Sequence, residues 1–385
     1  MREDADIEVI STITAFCREV LVPAAAAIDA QEIFAIKHRA DLAALGIFGQ
    51  NLPEEFGGAG IDASTQFESI ALIAGACAST ASMVTAHYLA TDSILYGGSH
   101  EQKMRWLPGA ASGELLGAFA LTEPGAGSNP ADMTTMAREE AGGYRITGTK
   151  HFISNAGAAD FIIVYAKTDA AAGARGISAF VVDPKTPGIK VGGNEPTMGL
   201  RRALVEGQID ERGGHVFEVN LDCVVPKDAL LGPAGSGFRT ALKTLDAGRL
   251  DIAACCIGIA EAAYSAARDW TLQRKIGGMP LSEYQGIQWM IADMATEIAA
   301  ARGLGLAAAR KRAASERYSL EASMAKLFSS EMAARVTDKA LQIHGGYGFT
   351  RALPLERYVR DARIMRIYEG SSEIQRNIIA RTVLS

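Results

Sequence analysis

The chain has 385 residues, 48% of them apolar and 21% charged, a composition that excludes a disordered protein. Its length exceeds the roughly 250–300 residues at which one core stops growing, so two or three domains are expected. A net charge of −6 excludes the broad basic surface that nucleic-acid binding requires.

Residues 1 to about 112 read as helical. Ile10, Ile13, Phe16 and Val20 recur near helical spacing until Pro23 interrupts them. A helix from about Phe34 to Leu45 ends at Gly46, and the glycines after Pro53 mark a loop. Helices over Ala63–Cys77 and Ser79–Tyr96 follow, stopped by Gly97-Gly98. Ser99 with Gln102 forms a capping box that opens a short helix toward Trp106 and Pro108. From Gly113 the period changes to two, over Tyr144–Phe152, Phe161–Ala166, Ile177–Val182 and Val216–Val225. Gly142-Gly143 suggests a hairpin turn, and Gly207–Gly214 a polar surface loop. Such short strands point to a small β-barrel or sandwich. Helical spacing returns over Phe238–Asp269, Tyr284–Ala309 and Leu320–Ile343. With a short helix after Ser372 these make an antiparallel bundle, and the order helices, strands, helices argues for α+β.

The remaining compositional signals narrow the setting. Cys17, Cys77, Cys223, Cys255 and Cys256 are odd in number and lack Cys-x-x-Cys spacing, so they read as reduced core residues. The six histidines show no paired ligand spacing, and no metal is expected. The acidic N-terminus lacks a signal or transit pattern, which gives a cytoplasmic expectation. No run looks like a membrane span; Ile298–Ala309 is interrupted by Arg302 and Gly303.

Chemistry concentrates in a few stretches. In Arg366-Ile-Tyr-Glu-Gly-Ser-Ser-Glu-Ile-Gln-Arg376, Ser372 and Gln375 read as a capping box, which places Glu369 on a loop just before a helix, next to Gly370. That suits a general base, although a lone Glu-Gly is also an ordinary solvated loop. Leu121-Thr-Glu-Pro-Gly-Ala-Gly-Ser128 offers hydroxyls and open backbone N–H groups for a polar ring edge, or is simply a turn. Phe152 and Ser154 share a strand face by period two, suited to stacking on a flat heterocycle or to core packing. Three glycines follow Gln342, more than a helix cap needs. Arg274 and Gln285 flank a bend at which an arginine can meet a diphosphate or solvent. Asp246 and Arg249, three apart on an apolar helix, are most simply an ion pair.

The order and separation of these stretches resemble the acyl-CoA dehydrogenase family over essentially the full length. The matching segments are Ala120–Ser128, Gly148–Asn155, Leu245–Arg249, Gln342–Gly348, Arg360–Arg363 and Ile367–Gly370. The resemblance implies an N-terminal helical domain (1–112), a central β-domain (113–235) and a C-terminal four-helix bundle (236–385). It implies FAD between the last two, and usually a tetramer built as a dimer of dimers. The implied reaction oxidises an acyl-CoA to a trans-2-enoyl-CoA, with Glu369 taking the α-proton and flavin N5 the β-hydride. An electron-transfer flavoprotein is the implied electron acceptor.

Residue by residue, the resemblance gives Phe119, Leu121, Thr122 and Ser128 to the flavin, with Ser128 also facing the thioester. Phe152 stands against the isoalloxazine and Ser154 near N5. Arg274, Gln285, Gln342, Gly345 and Gly346 match contacts to the FAD diphosphate and adenosine, partly across a subunit boundary. Ser371 and Glu373 match flavin-contacting positions after the base. Asp246, Arg249 and Gly370 match the acyl-CoA contact. Some branches carry the base just before the arginine matching Arg249; here that position is Gly248, leaving Glu369 as the single candidate. Two departures stand out. Gly277 occupies a position usually aromatic beside the adenine, and Arg202–His215 replaces a usual Ser/Thr-containing strand near the acyl-CoA phosphates. These departures keep open an acyl group tethered to a carrier protein, or an oxygen-using oxidase of the same fold. A non-catalytic flavoprotein subunit is a third reading, against which the retained Glu369 speaks.

Overall fold

The computed structural model describes residues 2–31, 38–201 and 216–385. The expected helix start near Phe34 and the segment Arg202–His215, with its Gly207–Gly214 loop, lie outside the described residues.

The first helical region runs α1 (Arg2–Phe16), a π-helical turn (Cys17–Leu21) and α2 (Val22–Gln31). Pro23 does not end this helix as its missing N–H suggested. The Val22 N–H reaches back five residues to the Cys17 carbonyl, and this wider turn accommodates the proline that follows. After α3 (Arg39–Ala44) come α4 (Ala63–Ala76), α5 (Ala78–Gly97) and α6 (His100–Ala111). Asp62 caps α4 by accepting from the Ser64 and Thr65 backbones at 2.6 and 3.0 Å. The Ser99–Gln102 box is formed in both directions, at 3.2 and 2.9 Å. The α6 helix continues through Pro108 to Ala111.

Seven strands form one sheet: β1 (Gly117–Ala120), β2 (Met136–Glu140), β3 (Gly143–Ser154), β4 (Phe161–Lys167), β5 (Ile177–Val182), β6 (Ile189–Asn194) and β7 (Val216–Pro226). The order is β1-β4-β2-β3-β7-β6, with β5 also paired to β4. One edge of β4 takes β5, and β1 and β2 share the other, β2 meeting it at Met136 opposite Lys167. The β2–β3 hairpin turns at Gly142, where φ is 90°. The expected period of two does not hold in β4 and β5: Phe161–Ala166 and Ile177–Val182 are buried at every position, as in strands covered on both faces.

The C-terminal region holds α7 (Gly237–Gln273), a small hairpin of β8 (Lys275–Ile276) and β9 (Met279–Pro280), α8 (Gln285–Ala313), α9 (Ser319–His344), α10 (Leu355–Ile364) and α11 (Ser372–Val383). The α7, α8 and α9 helices pack on one another, and α9 also carries α10 and α11. The bundle therefore has a short helix, α10, that periodicity did not reveal. The α7 helix is the hub, because α4 and α5 pack on it as well. At the α4–α7 crossing a Cβ on Gly258 would sit 1.9 Å from the Ala71 carbonyl oxygen, so only glycine permits this backbone approach.

Among the described residues two helices, Asp6–Ala30 and Gly237–Gln273, have the length and apolar composition of a membrane span, contrary to the expectation that no segment would. The second has 72% of its apolar window buried in the protein and is a core helix. The first buries one stripe (Ile13, Cys17, Leu21, Ala25 and Ile28) against the fold.

Candidate active site

The loop between α10 and α11 holds Glu369 in a left-handed conformation, φ 52°, with Gly370 next at φ 89°. A glutamate rarely adopts this region unless its surroundings enforce it. The enforcement is a set of clamps. Buried Lys326 of α9 donates to the Gly370 carbonyl at 2.7 Å. The Gln375 amide donates to the Glu369 and Gly370 carbonyls at 3.2 and 3.0 Å. The Ser372 hydroxyl donates to Glu331 at 2.6 Å, and Arg366 donates to the same carboxylate at 3.1 Å.

This geometry corrects the helix cap expected here. The N-cap of α11 is Ser371, whose oxygen accepts from the Ile374 N–H, whereas Ser372 is already helical. Gln375 does not close a box; its amide holds the Glu369 loop instead.

The Glu369 carboxylate lies over α7. A Cβ built on Gly248 would come 2.2 Å from Glu369 Oε2 and 2.7 Å from Leu89 Cδ2 of α5. Oε2 is buried and has no hydrogen-bond partner. Burial pushes the carboxyl up to about 7, and the positive charges of Lys326 and Arg249 offset only part of the effect. Burial lowers Lys326 to about 8, against the opposing pull of Cys256 and Glu369. Beside them Arg249 donates to Asp246 at 2.6 Å, the ion pair expected from their spacing, and Asp246 also accepts from the Ser319 hydroxyl. Gly370 and Ser371 belong to this cluster, while Glu373 points outward on the exposed first turn of α11.

The sheet contributes a second group. The Thr122 carbonyl accepts from His151 N at 2.9 Å, joining the Leu121–Ser128 segment to β3. Lys150, fully buried, donates to the Leu121 carbonyl at 3.1 Å and to Glu123 at 2.9 Å. Burial pushes Glu123 up, but Lys150 and bonds from Thr134 and Thr135 outweigh it and hold the carboxyl down at about 2. Phe119 lies on β1 with its ring 5.2 Å from that of Tyr165.

Phe152 and Ser154 do not share a face by simple alternation. The β3–β7 register shifts between Lys150 and Ile153, and Phe152 takes φ 58°. The bulge leaves the Phe152 ring 59% exposed, whereas Lys150, two residues earlier, is buried. Ser154 is half-buried and Ser128 exposed, and nothing crowds Gly125 or Gly127.

A third group lines a cavity of about 650 Å³ at the far end of α7 and α9, where Arg274, Gln342, Gly345 and Gly346 come together with Trp270 and Tyr347. The Arg274 guanidinium lies 5.7 Å from the Tyr347 ring centre, and no atom crowds either glycine. Gln285, exposed at the start of α8, is not among the lining residues, and neither is any member of the Glu369 cluster. At Gly277 the neighbouring aromatic is Tyr284, whose hydroxyl donates to the Ile276 carbonyl at 2.6 Å. Lys326 and the Lys150–Glu123 pair were not singled out from sequence. The only available signal was a charge inside an apolar run, which long side chains often produce by snorkelling.

The chain matches the models for the acyl-CoA dehydrogenase N-terminal domain over residues 3–114, the middle domain over 118–209 and the C-terminal domain over 235–384. It is 39% identical to the mitochondrial short-chain specific acyl-CoA dehydrogenase of Homo sapiens, over 97% of this chain and 89% of that one. Among solved structures it resembles butyryl-CoA dehydrogenase from Megasphaera elsdenii, with 35% identity, a TM-score of 0.94 and coverage of 99% and 98% of the two chains. It also resembles a chain from a structure of the electron transferring flavoprotein of Acidaminococcus fermentans, with 36% identity, a TM-score of 0.93 and coverage of 98% and 97%. With three consecutive domain models spanning nearly all of its length, the chain belongs to the acyl-CoA dehydrogenase family.

Proposed function

We propose that this FAD-dependent acyl-CoA dehydrogenase converts short acyl-CoA thioesters to trans-2-enoyl-CoA, with Glu369 as the base. One observation carries the assignment of the base. The Glu369 loop is held in a strained conformation so that a buried, unpartnered carboxylate oxygen stands over Gly248. A carboxyl raised to about 7 is poised for proton transfer near neutral pH. An α-proton beside a thioester is weakly acidic, and a desolvated carboxylate is a stronger base than one in water. The Glu369 and Gly370 carbonyls are engaged by Gln375 and Lys326, which fixes the loop while the side chain works.

The residues present fit FAD. The exposed Phe152 ring supplies a flat apolar face, and the uncrowded Gly125 and Gly127 leave room for close approach to their backbone. Arg274, beside the uncrowded Gly345 and Gly346, suits a diphosphate. When bound, FAD supplies the hydride acceptor for the β-carbon. Phe119, Leu121, Thr122, Ser128 and Ser154 would hold the ring end, with Ser371 and Glu373 entering from the bundle. Lys150 and Glu123 tie the ring-side segment to β3.

The short-chain reading is supported by the name of the human relative. No feature of the described residues favours the carrier-protein or oxidase alternatives. An electron-transfer flavoprotein suits the role of acceptor, as the family resemblance implies. We also infer a homo-oligomer, a tetramer by resemblance. Leu272, Ile276, Trp289 and Phe349 leave 61, 55, 61 and 83% of their surfaces exposed near the Arg274 cavity, apolar surface of the kind subunit contacts cover. All five cysteines are buried and unpaired, which supports a reducing, cytoplasmic setting.

The test is anaerobic titration with butyryl-CoA, following flavin absorbance. The parent should bleach. Glu369→Gln should retain FAD yet bleach slower by about 10²–10⁴-fold, the usual contribution of a positioned base. Bleaching within tenfold of the parent would remove Glu369 from the reaction.

A further inference from the structure

The α10 helix delivers the chain to Glu369 with no free joint between them. The Met365 N–H donates to the Ala362 carbonyl at 3.3 Å, and the Ile367 and Tyr368 N–H groups donate to the Ile364 carbonyl at 2.8 and 3.3 Å. Met365 is buried, and the Tyr368 hydroxyl donates to its sulfur at 3.1 Å. Wherever α10 sits, the Glu369 backbone therefore follows. Lys326 and Gln375 hold the carbonyls of the loop, and a separate set of contacts fixes α10 itself.

Those contacts come from two other parts of the chain and meet at Arg360 and Asp361. The Arg360 guanidinium donates through both terminal nitrogens to Asp29 of α2, at 2.8 and 2.6 Å, the two-pronged pairing for which its planar fork is shaped. It also donates to Glu356, one turn back on α10, at 2.6 and 3.0 Å, and to the Met198 carbonyl at 3.2 Å. Met198 belongs to the segment that follows β6, and this segment lies against α10. A Cβ on Gly199 would stand 2.3 Å from the Arg360 carbonyl oxygen, so backbone meets backbone there. Leu200 is fully buried at φ 54°, and its N–H donates to the Asp361 carboxylate at 2.7 Å. Two left-handed residues that are not glycine thus attach to one helix, Leu200 to its side and Glu369 beyond its end. Burial pushes the Asp361 carboxyl up to about 6, because the Leu200 N–H, Arg357 and Arg360 offset the effect only in part and Asp29 adds to it.

We propose, resting on the assignment of Glu369 as the base, that Asp29, Arg360 and Asp361 are positioning residues for the proton abstraction. They fix α10 against α2 and against the segment after β6, and α10 fixes where Glu369 stands over Gly248. Asp29 and Arg360 bond each other, Glu356 and a backbone carbonyl, and not Glu369, so their effect on the reaction passes through α10. The base is then held from all three regions of the chain: α2 in the first, Met198–Leu200 in the second, Lys326 and Gln375 in the third. A base that must reach one α-proton tolerates little error, since a displacement of about 1 Å costs about 10²-fold.

The test follows anaerobic flavin bleaching by saturating butyryl-CoA on the FAD-loaded enzyme, expressed per bound FAD. Asp29→Asn and Arg360→Met are made in the parent and again beside Glu369→Gln. Asp29→Asn changes charge with almost no change of size, which guards against a misfolded protein. In the parent each substitution should slow bleaching about tenfold or more, with the half-saturating butyryl-CoA concentration unchanged within about threefold. Arg360→Lys keeps the charge but loses the fork, and its rate should lie between those of Arg360→Met and the parent. Beside Glu369→Gln the same substitutions should change the residual rate by less than about twofold, because a residue that acts through the base then has nothing to act through. Equal slowing in both backgrounds, or bleaching within about threefold of the parent for both single variants, overturns this inference and leaves Glu369 as the base. If Glu369→Gln itself bleaches as fast as the parent, the reading of the base falls and takes this one with it.

Discussion

Gly248→Ala is a sharp probe of how Glu369 is placed. Gly248 lies in the interior of a 37-residue helix, where alanine would ordinarily gain about 1 kcal/mol over glycine. The added Cβ would stand 2.2 Å from Glu369 Oε2 and 2.7 Å from Leu89 Cδ2. Ordinary contact needs about 3.5 Å, so the carboxylate must retreat by about 1.3 Å or Leu89 and the loop must yield. Overpacking costs about 1–3 kcal/mol, which the helix gain partly offsets, leaving roughly 0–2 kcal/mol of destabilisation. Activity should suffer far more, because a displacement of about 1 Å in a reacting group costs about 10²-fold. The assay is kcat with butyryl-CoA beside FAD content and a thermal melt. Turnover within threefold of the parent, at full FAD loading, would refute the placement of Glu369 against α7.

Lys326→Met removes a charge that lowers the Glu369 pKa. Glu369 must be unprotonated to accept a proton, so the acid limb of kcat/KM, set near 7 in the parent, should move to higher pH, and an unmoved limb would separate Lys326 from the base. Lys150→Met leaves Glu123 buried without its cation and should destabilise the protein by about 3 kcal/mol in chemical denaturation, with weaker FAD retention. Because the folded-state pKa of Glu123 lies below its usual 4.5, the parent should keep this contribution above pH 4.5 and lose it as pH falls toward about 2, a loss read from melts across that range.

Local signals were legible where one residue's chemistry settles one feature. Ser99 and Gln102 are spaced to cap each other and do so. At Ser371-Ser372 the same rule misplaced the cap by one residue, because two serines compete and the Gln375 amide is drawn to the carbonyls of a loop that sequence spacing cannot locate. Strands β4 and β5 were located from sequence, but not by the expected alternation, because burial on both faces leaves none. Four-residue β1 and glycine-broken β6 carry no such period, and they exist through pairing with β4 and β7. Phe152 was identified as a site residue but given the wrong geometry, since a bulge leaves no mark in an alternating pattern. Lys326 bonds a carbonyl 44 residues away, a contact only the folded chain creates.

The relation between Gly248 and Glu369 shows what kind of information the sequence holds only in folded form. A glycine in mid-helix, read alone, is a weak spot in α7. A glutamate before a glycine, read alone, is a loop acid. The fold makes each the reason for the other, because the carboxylate oxygen occupies the volume in which a side chain at 248 would begin. A side chain at 248 and the present carboxylate position therefore exclude each other, and one chain cannot present a base from both places. Carrying the carboxylate on a loop costs backbone strain at Glu369, and Lys326, Gln375 and the Ser372–Glu331 contact hold that strain in place. In exchange, the α7 face stays free of side chain where α5, α7 and the loop meet.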